Sequence, residues 1–360
     1  MTVINVYDMN FNLIGVVDSY VSIIWRPAYY DVGDFEIYVA AGAEAIELLQ
    51  ENRLVVRNTD ITVDSDGNVT YKNVMLIKNI DLITDVENGN FLSITGRELK
   101  YILHQRIIWT QTNLTGTAEA GIRRLVSENA VSPSNTNRVI PNLVLGATAG
   151  LTDIIEKQIT GDYLDEAITE ICTNYKYGWE VYGYNGNYVF IVYQGLDRSY
   201  EQSERPYVVF SDAFENLYNT EYQLNTEEYA NTALIGGEGE GTERTYTTIN
   251  NDKSGLERYE LFVDAKDLSS NKDSEDEIPQ SQYLLLLQER GAEKLAETAI
   301  TEGFSGEVLT TGNFKYGEDF DIGDTVTVIN SYGISKNVMV LSSIESEDEN
   351  GISLIPQFNI

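Results

Sequence analysis

The chain is poor in the side chains that most often do chemistry. Its 360 residues include one cysteine, Cys172, and one histidine, His104. A single cysteine excludes an internal disulfide, so nothing in the sequence marks an oxidising compartment. A single histidine excludes the paired-histidine zinc helix, and clusters of cysteine with histidine are out of reach. A Cys172–His104 dyad is the one nucleophilic pair of that kind available. Cys172 falls on the apolar side of a helical pattern with Leu164, Ile168 and Ile171, which reads as an inert core thiol. His104 follows Ile102-Leu103 near a helix end and reads as structural. Basic residues are scarce too: 24 Lys and Arg against 57 Asp and Glu leave a net charge of −33. That charge repels phosphate backbones and excludes a sequence-specific nucleic-acid partner. No apolar run, Tyr283 to Leu287 included, approaches the roughly 20 residues of a membrane span. Met1 to Asp8 lacks a basic stretch followed by an apolar one, so it reads as a first strand and not as a signal peptide.

What is present points to a folded protein. Hydrophobic residues make up 42% and aromatic residues 11%, with 24 tyrosines, which argues against disorder. The length suits two to three domains. Alternation predicts strands at Val3–Tyr7, Leu13–Val17, Tyr20–Trp25, Phe35–Val39, Leu54–Arg57 and Val74–Ile83, with a short helix over Ala43–Gln50. The last two of these strands are joined by a polar hairpin. Its Asp64-Ser65-Asp66-Gly67-Asn68 looks like the start of a calcium loop but lacks the later Gly and Glu, so an Asp-Gly turn is expected.

The middle carries helical spacing over Ala118–Asn129 and Asp162–Lys176, with Asp162 read as an N-cap. A tyrosine-rich hairpin follows over Gly178–Tyr193, turning at Asn185-Gly186. Strands resume at Tyr207–Phe210, Ala233–Ile235, Arg244–Ile249 and Tyr259–Val263. Gly236-Gly237-Glu238-Gly239-Glu240-Gly241 imitates a phosphate loop. No lysine follows, and its glutamates would repel phosphate, so a flexible connection between strands is expected. A charged loop, Lys266–Pro279, leads to a helix near 281–301, and strands and turns fill Phe304–Ile360.

An internal echo stands out. Val74-Met75-Leu76-Ile77 followed by Glu87-Asn88-Gly89 resembles Val338-Met339-Val340-Leu341 followed by Glu349-Asn350-Gly351, each preceded by a strand. The fold class expected is α+β, mainly β: a first β-barrel domain over 1–110, an inserted α/β module over 111–205, and a second β-barrel domain over 206–360. Three such chains in a ring would present six similar barrels, a pseudo-sixfold surface built with threefold symmetry.

Short strings spread over the chain resemble the tail-hub, or tail-associated, proteins of phages that infect Gram-positive bacteria. They include Asp18-Ser19-Tyr20, Tyr30-x-x-Gly33-Asp34-Phe35-Glu36, Ile94-x-Gly96-Arg97 and Gly195-x-Asp197-Arg198-Ser199. Asn231-x-Ala233-Leu234-x-Gly236-Gly237, Arg258-x-Glu260 and Asp321-x-Gly323-Asp324 continue the series. The resemblance implies two tube-like barrels with outer α/β domains, in a homotrimeric hub at the distal end of a tail. It implies as partners a distal tail or tube protein, a tape-measure protein, and a spike, fibre or receptor-binding protein. The same hub occurs in contractile tails and phage-tail-like bacteriocins. The chain ends at Ile360 after the second barrel, so a lytic or receptor-binding extension is not expected. No cofactor, metal or catalytic residue is assigned.

Gly33, Gly96 and Gly323 are expected at tight turns or close contacts. Arg97, Arg198 and Arg258 either anchor carboxylates or are solvated. Two other functions compete with the hub. A peptidoglycan-degrading enzyme needs only two carboxylates about 5–10 Å apart, but no pair stands out. A glycan-binding receptor protein would use the strip Tyr175, Tyr177, Trp179, Tyr182, Tyr184, Tyr188 and Tyr193, which reads first as core.

Overall fold

Alternating apolar residues build a mainly antiparallel sheet of 13 strands, which dominates an α+β fold. The computed structural model describes residues 2–85, 89–272, 277–308 and 313–359. Glu87 and Asn88 of the echoed turn, and part of the 266–279 loop, lie outside the described residues.

The sheet contains two units of the same design. In the first, Ser22–Arg26, Asp34–Ala40, Gly89–Glu98, Met75–Asp85 and Leu54–Arg57 lie side by side in that order. In the second, Leu217–Asn225, Thr301–Val308, Gly351–Asn359, Ser335–Asp348 and Thr325–Ile329 repeat it. Every neighbouring pair in both is antiparallel.

A β-bulge falls at the same place in each unit. It lies between Ile77 and Asn79 opposite Gly96 and Thr95, and between Val340 and Ser342 opposite Phe358 and Gln357. Superposing the bulges aligns Ile77 with Val340 and Ile83 with Ser346, one residue away from the alignment suggested by the echo. Each unit curls around its own core: Ile23, Trp25, Phe35 and Ile37 in the first, Phe210, Phe304, Val326 and Val338 in the second. The two are stitched together where Trp25 to Ser22 pairs with Glu345 to Asp348.

The hairpin Gly178–Tyr184 and Asn187–Tyr193 turns through Asn185 (φ 48) and Gly186 (φ 80), the left-handed pair that a type I′ turn needs. Its five-stranded sheet recruits Ile61–Val63 and Val69–Tyr71 from much earlier in the chain. The polar hairpin between two strands of the first unit thus belongs to a different sheet. Helices Ala118–Val126 and Leu164–Tyr175 share the core of this sheet.

Asp162 does not cap the second of these helices. The cap position is Tyr163, without a side-chain hydrogen bond, while the Asp162 carbonyl accepts from the Ile108 amide. A third layer, Tyr246–Ile249, Thr232–Gly236 and Glu260–Asp264, is covered by helix Gln280–Glu297. In the chain it lies between the first two strands of the second unit.

Candidate functional site

The loop between Arg26 and Asp34 is where the parts meet. Tyr29 is fully buried, and each of its groups engages a different part of the chain. Its amide donates to the Leu341 carbonyl (2.7 Å) and its hydroxyl to the Lys176 carbonyl (3.2 Å). The Gly195 amide donates to the same hydroxyl (3.0 Å). Its ring lies edge-on to Tyr193, 5.4 Å between centroids. The carbonyl of Tyr30 accepts from Trp179 Nε1 (2.6 Å) and Thr169 Oγ1 (3.0 Å).

The close contacts explain two glycines. At Gly323 (φ 94) a Cβ would stand 2.3 Å from the Tyr29 ring, and at Gly195 one would stand 1.9 Å from the Gly323 carbonyl oxygen. No other residue fits either place. Gly33 and Gly96 likewise press on backbone, at Arg26 and Leu76.

Beside Tyr29 lies a cavity of about 360 Å³, lined by Lys72, Lys100, Trp179, Glu180, Tyr316 and Asp321 among others. Lys100 is almost fully buried, 3.3 Å from Glu98 and 5.2 Å from the Trp179 ring centroid. It donates to the carbonyls of Ala28 and Asp31. Glu98 in turn accepts from the Gly33 amide (3.0 Å). Burial raises the Glu98 carboxyl above its ordinary range, against the pull of Lys100. Glu180 is pushed up to about 7, mainly by burial, with Lys72 opposing and Glu98 adding to the rise.

Two arginines act as ties. Arg198 Nε donates to Asp324 (2.7 Å), whose other oxygen accepts from the Leu196 amide (2.7 Å). Arg57 spans both units, donating to Asp60 (2.6 Å) and to both oxygens of Glu345 (2.8 and 3.1 Å). Burial alone would lower the Arg57 pKa; Asp60 and Glu345 overcome it and hold the guanidinium charged. Neither Arg57 nor Tyr29 was marked by the sequence, because nothing local distinguishes them from any strand arginine or loop tyrosine. Of the other arginines singled out, Arg97 is half exposed, 3.9 Å from Asp34. Arg258 pairs locally with Glu260 and Asn251.

The remaining candidates resolve into structure. The Cys172 thiol is fully buried, and burial drives its pKa far up, so it is no nucleophile. His104 Nδ1 lies 3.0 Å from Asp165, with its ring stacked between Tyr101 and Tyr163. Asp64 folds back on its own loop, accepting from the amides of Asp66 and Asn68. In the glycine-rich segment, Glu238 accepts from Ser270, and its amide donates to the Tyr283 hydroxyl (2.7 Å). Of the aromatic strip, Tyr177, Trp179 and Tyr188 are core.

Tyr30-x-x-Gly33, Gly195-x-Asp197-Arg198 and Asp321-x-Gly323-Asp324 thus converge on one junction. Such an arrangement fixes the two units and the middle sheet to one another.

Comparison with known proteins agrees with this architecture. A tail protein from Neisseria meningitidis MC58 shares the fold with a TM-score of 0.60 at 14% identity, over 100% of this chain and 96% of that one. The 43 kDa tail protein of prophage MuSo2 from Shewanella oneidensis gives 0.58 at 12%, over 99% and 98%. The prophage tail protein gp18 from Listeria monocytogenes EGD-e gives 0.52 at 13%, over 100% and 95%. No curated protein matches the sequence. The model of the Siphovirus ReqiPepy6 Gp37-like proteins matches residues 3–358. With that match running through both units and everything between them, the chain belongs to the Siphovirus ReqiPepy6 Gp37-like family.

Proposed function

We propose that the chain is a structural protein of a phage or phage-like tail, the hub at its distal end. Three copies form a ring that joins the tail tube to the tip. The observation that carries this reading is the pair of like-ordered units stitched edge to edge within one chain. A threefold ring of such chains offers six similar units to a sixfold tube. The tail proteins of similar fold support placing it in the tail.

In this reading the upper face meets the distal tail or tube protein, and the lower face a spike, fibre or receptor-binding protein. The tape-measure protein and DNA use the central passage. The chain binds and transmits force without catalysing a reaction, and the commitment of Cys172 and His104 to the core and to Asp165 supports that. Part of the net −33 of each copy faces the passage, so that DNA is repelled by the wall instead of held.

Mass measurement in solution and an image of purified tails test the proposal. A trimer with a sixfold-like upper face is the expected result. A stable monomer that is also missing from purified tails overturns it, and a net-positive passage overturns the charge assignment alone.

A further inference from the structure

The two units differ in one edge. In the second unit, the far half of Ser335–Asp348 is covered by Ser22–Arg26, with Ser346 opposite Ile24. The same stretch of the first unit, Leu82–Thr84, pairs with Gly89–Glu98 on one side, and no strand covers its other edge among the described residues. This strand carries apolar side chains in the open on and just before that stretch: Ile80 is 39% exposed, Leu82 55% and Ile83 44%. An uncovered apolar strand edge is a template for pairing with another chain. The first strand of the second unit, Leu217–Asn225, pairs only with Thr301–Val308, so its outer edge is also open among the described residues.

We propose that these two edges pair between copies, and that this seam repeats the one inside the chain. The inference rests on the ring reading above and names the surface that would close it. The register follows from the repeated design. Glu36 lies opposite Thr95 as Ser305 lies opposite Gln357, and the bulges align Thr95 with Gln357. Ile24 lies opposite Glu36 as Glu221 lies opposite Ser305, so Glu221 takes the place of Ile24. Ile83 takes the place of Ser346. The antiparallel Ile24–Ser346 pair within the chain therefore predicts Ile83 of one copy opposite Glu221 of the next, and Leu82 opposite Tyr222. Because the two edges are different surfaces, the contact runs head to tail and generates a ring only if its rotation closes. Backbone hydrogen bonds along the seam supply the pairing, and the apolar side chains of Ile80, Leu82 and Ile83 are covered by it.

A cysteine pair tests the register, since directly opposed strand residues come close enough for a disulfide. The double variant Ile83→Cys with Glu221→Cys is oxidised mildly and run without reductant; the buried native Cys172 makes the unaltered chain the background. Covalent trimers are expected from the double variant, and covalent dimers from a mixture of the two single variants. The internal control, Ile24→Cys with Ser346→Cys, closes within one chain. If the control closes and the protein is trimeric, but Ile83→Cys with Glu221→Cys stays uncrosslinked, the seam is wrong and the ring reading stands. A ladder beyond three chains keeps the seam and overturns the closed ring. A chain that remains monomeric at every concentration overturns the seam, and overturns the ring reading as well if it is also missing from purified tails.

Discussion

The outer hairpins of the two units have the same strand order and the same bulge, yet their surroundings differ. That of the second unit is held by Ser22–Arg26 and faces Arg57 through Glu345. That of the first projects with its apolar residues in solvent. A repeated strand pattern therefore specifies a unit without specifying its neighbours. The inner ends differ as well. The connection between the first two strands is the short Tyr29 loop in one unit and a whole α/β layer in the other.

The largest change expected comes from removing the point where these parts meet. Tyr29→Ala empties a fully buried ring site and strips partners from Gly195 and Lys176. It should cost about 3–5 kcal/mol in urea unfolding and split the transition if the parts then melt separately. Next, Arg57→Ala leaves Glu345 and Asp60 without their cation at the stitched end. A loss of about 2–3 kcal/mol is expected, against less than about 0.5 kcal/mol for Arg97→Ala, whose ion pair is exposed. Equal effects of the two arginine variants would show that the buried tie across the stitch holds no more tightly than an exposed ion pair.

The junction cavity should announce itself through pH. Burial favours protonated Glu180, so its folded pKa of about 7 lies above the ordinary 4.5. Its stabilising share is then full below about 4.5 and lost as pH rises to about 7. Glu180→Gln removes that loss, so the variant should exceed the unaltered chain by about 1–2 kcal/mol at pH 8 and match it at pH 4.5. Parallel stability curves for the two chains would exclude the assignment. The smallest effect on unfolding belongs to the open hairpin. Ile83→Asp should change stability by less than about 0.5 kcal/mol while reducing self-association in mass measurements, which separates an interface role from a core one.

How far these features could be read in advance depended on the distance over which each is decided. The Asn185-Gly186 hairpin and the strand Leu54–Arg57 were legible because turn chemistry and alternation act within a few residues. Leu217–Asn225 was missed: its Tyr-Asn-Thr-Glu-Tyr-Gln run has little apolar alternation, and it is a strand because Thr301–Val308 pairs with it. The echo was visible, but a bulge shifts its alignment by one residue, and bulges are settled by the partner strand.

The junction followed the same rule. Its glycines and Arg198 stood out as short strings, whereas Tyr29, Lys100 and Glu180 gained meaning only when distant segments closed around them.

The sequence by itself determined the scarcity of nucleophiles and histidine, the acidic surface, most strands and the repeated unit. All of these reside in composition or in short-range pattern. The tertiary structure alone decided which edges are covered, which charges are buried and where the parts are tied. Those outcomes depend on pairs such as Arg57 with Glu345, set by the free energy of bringing remote groups together and not by the propensities of either segment.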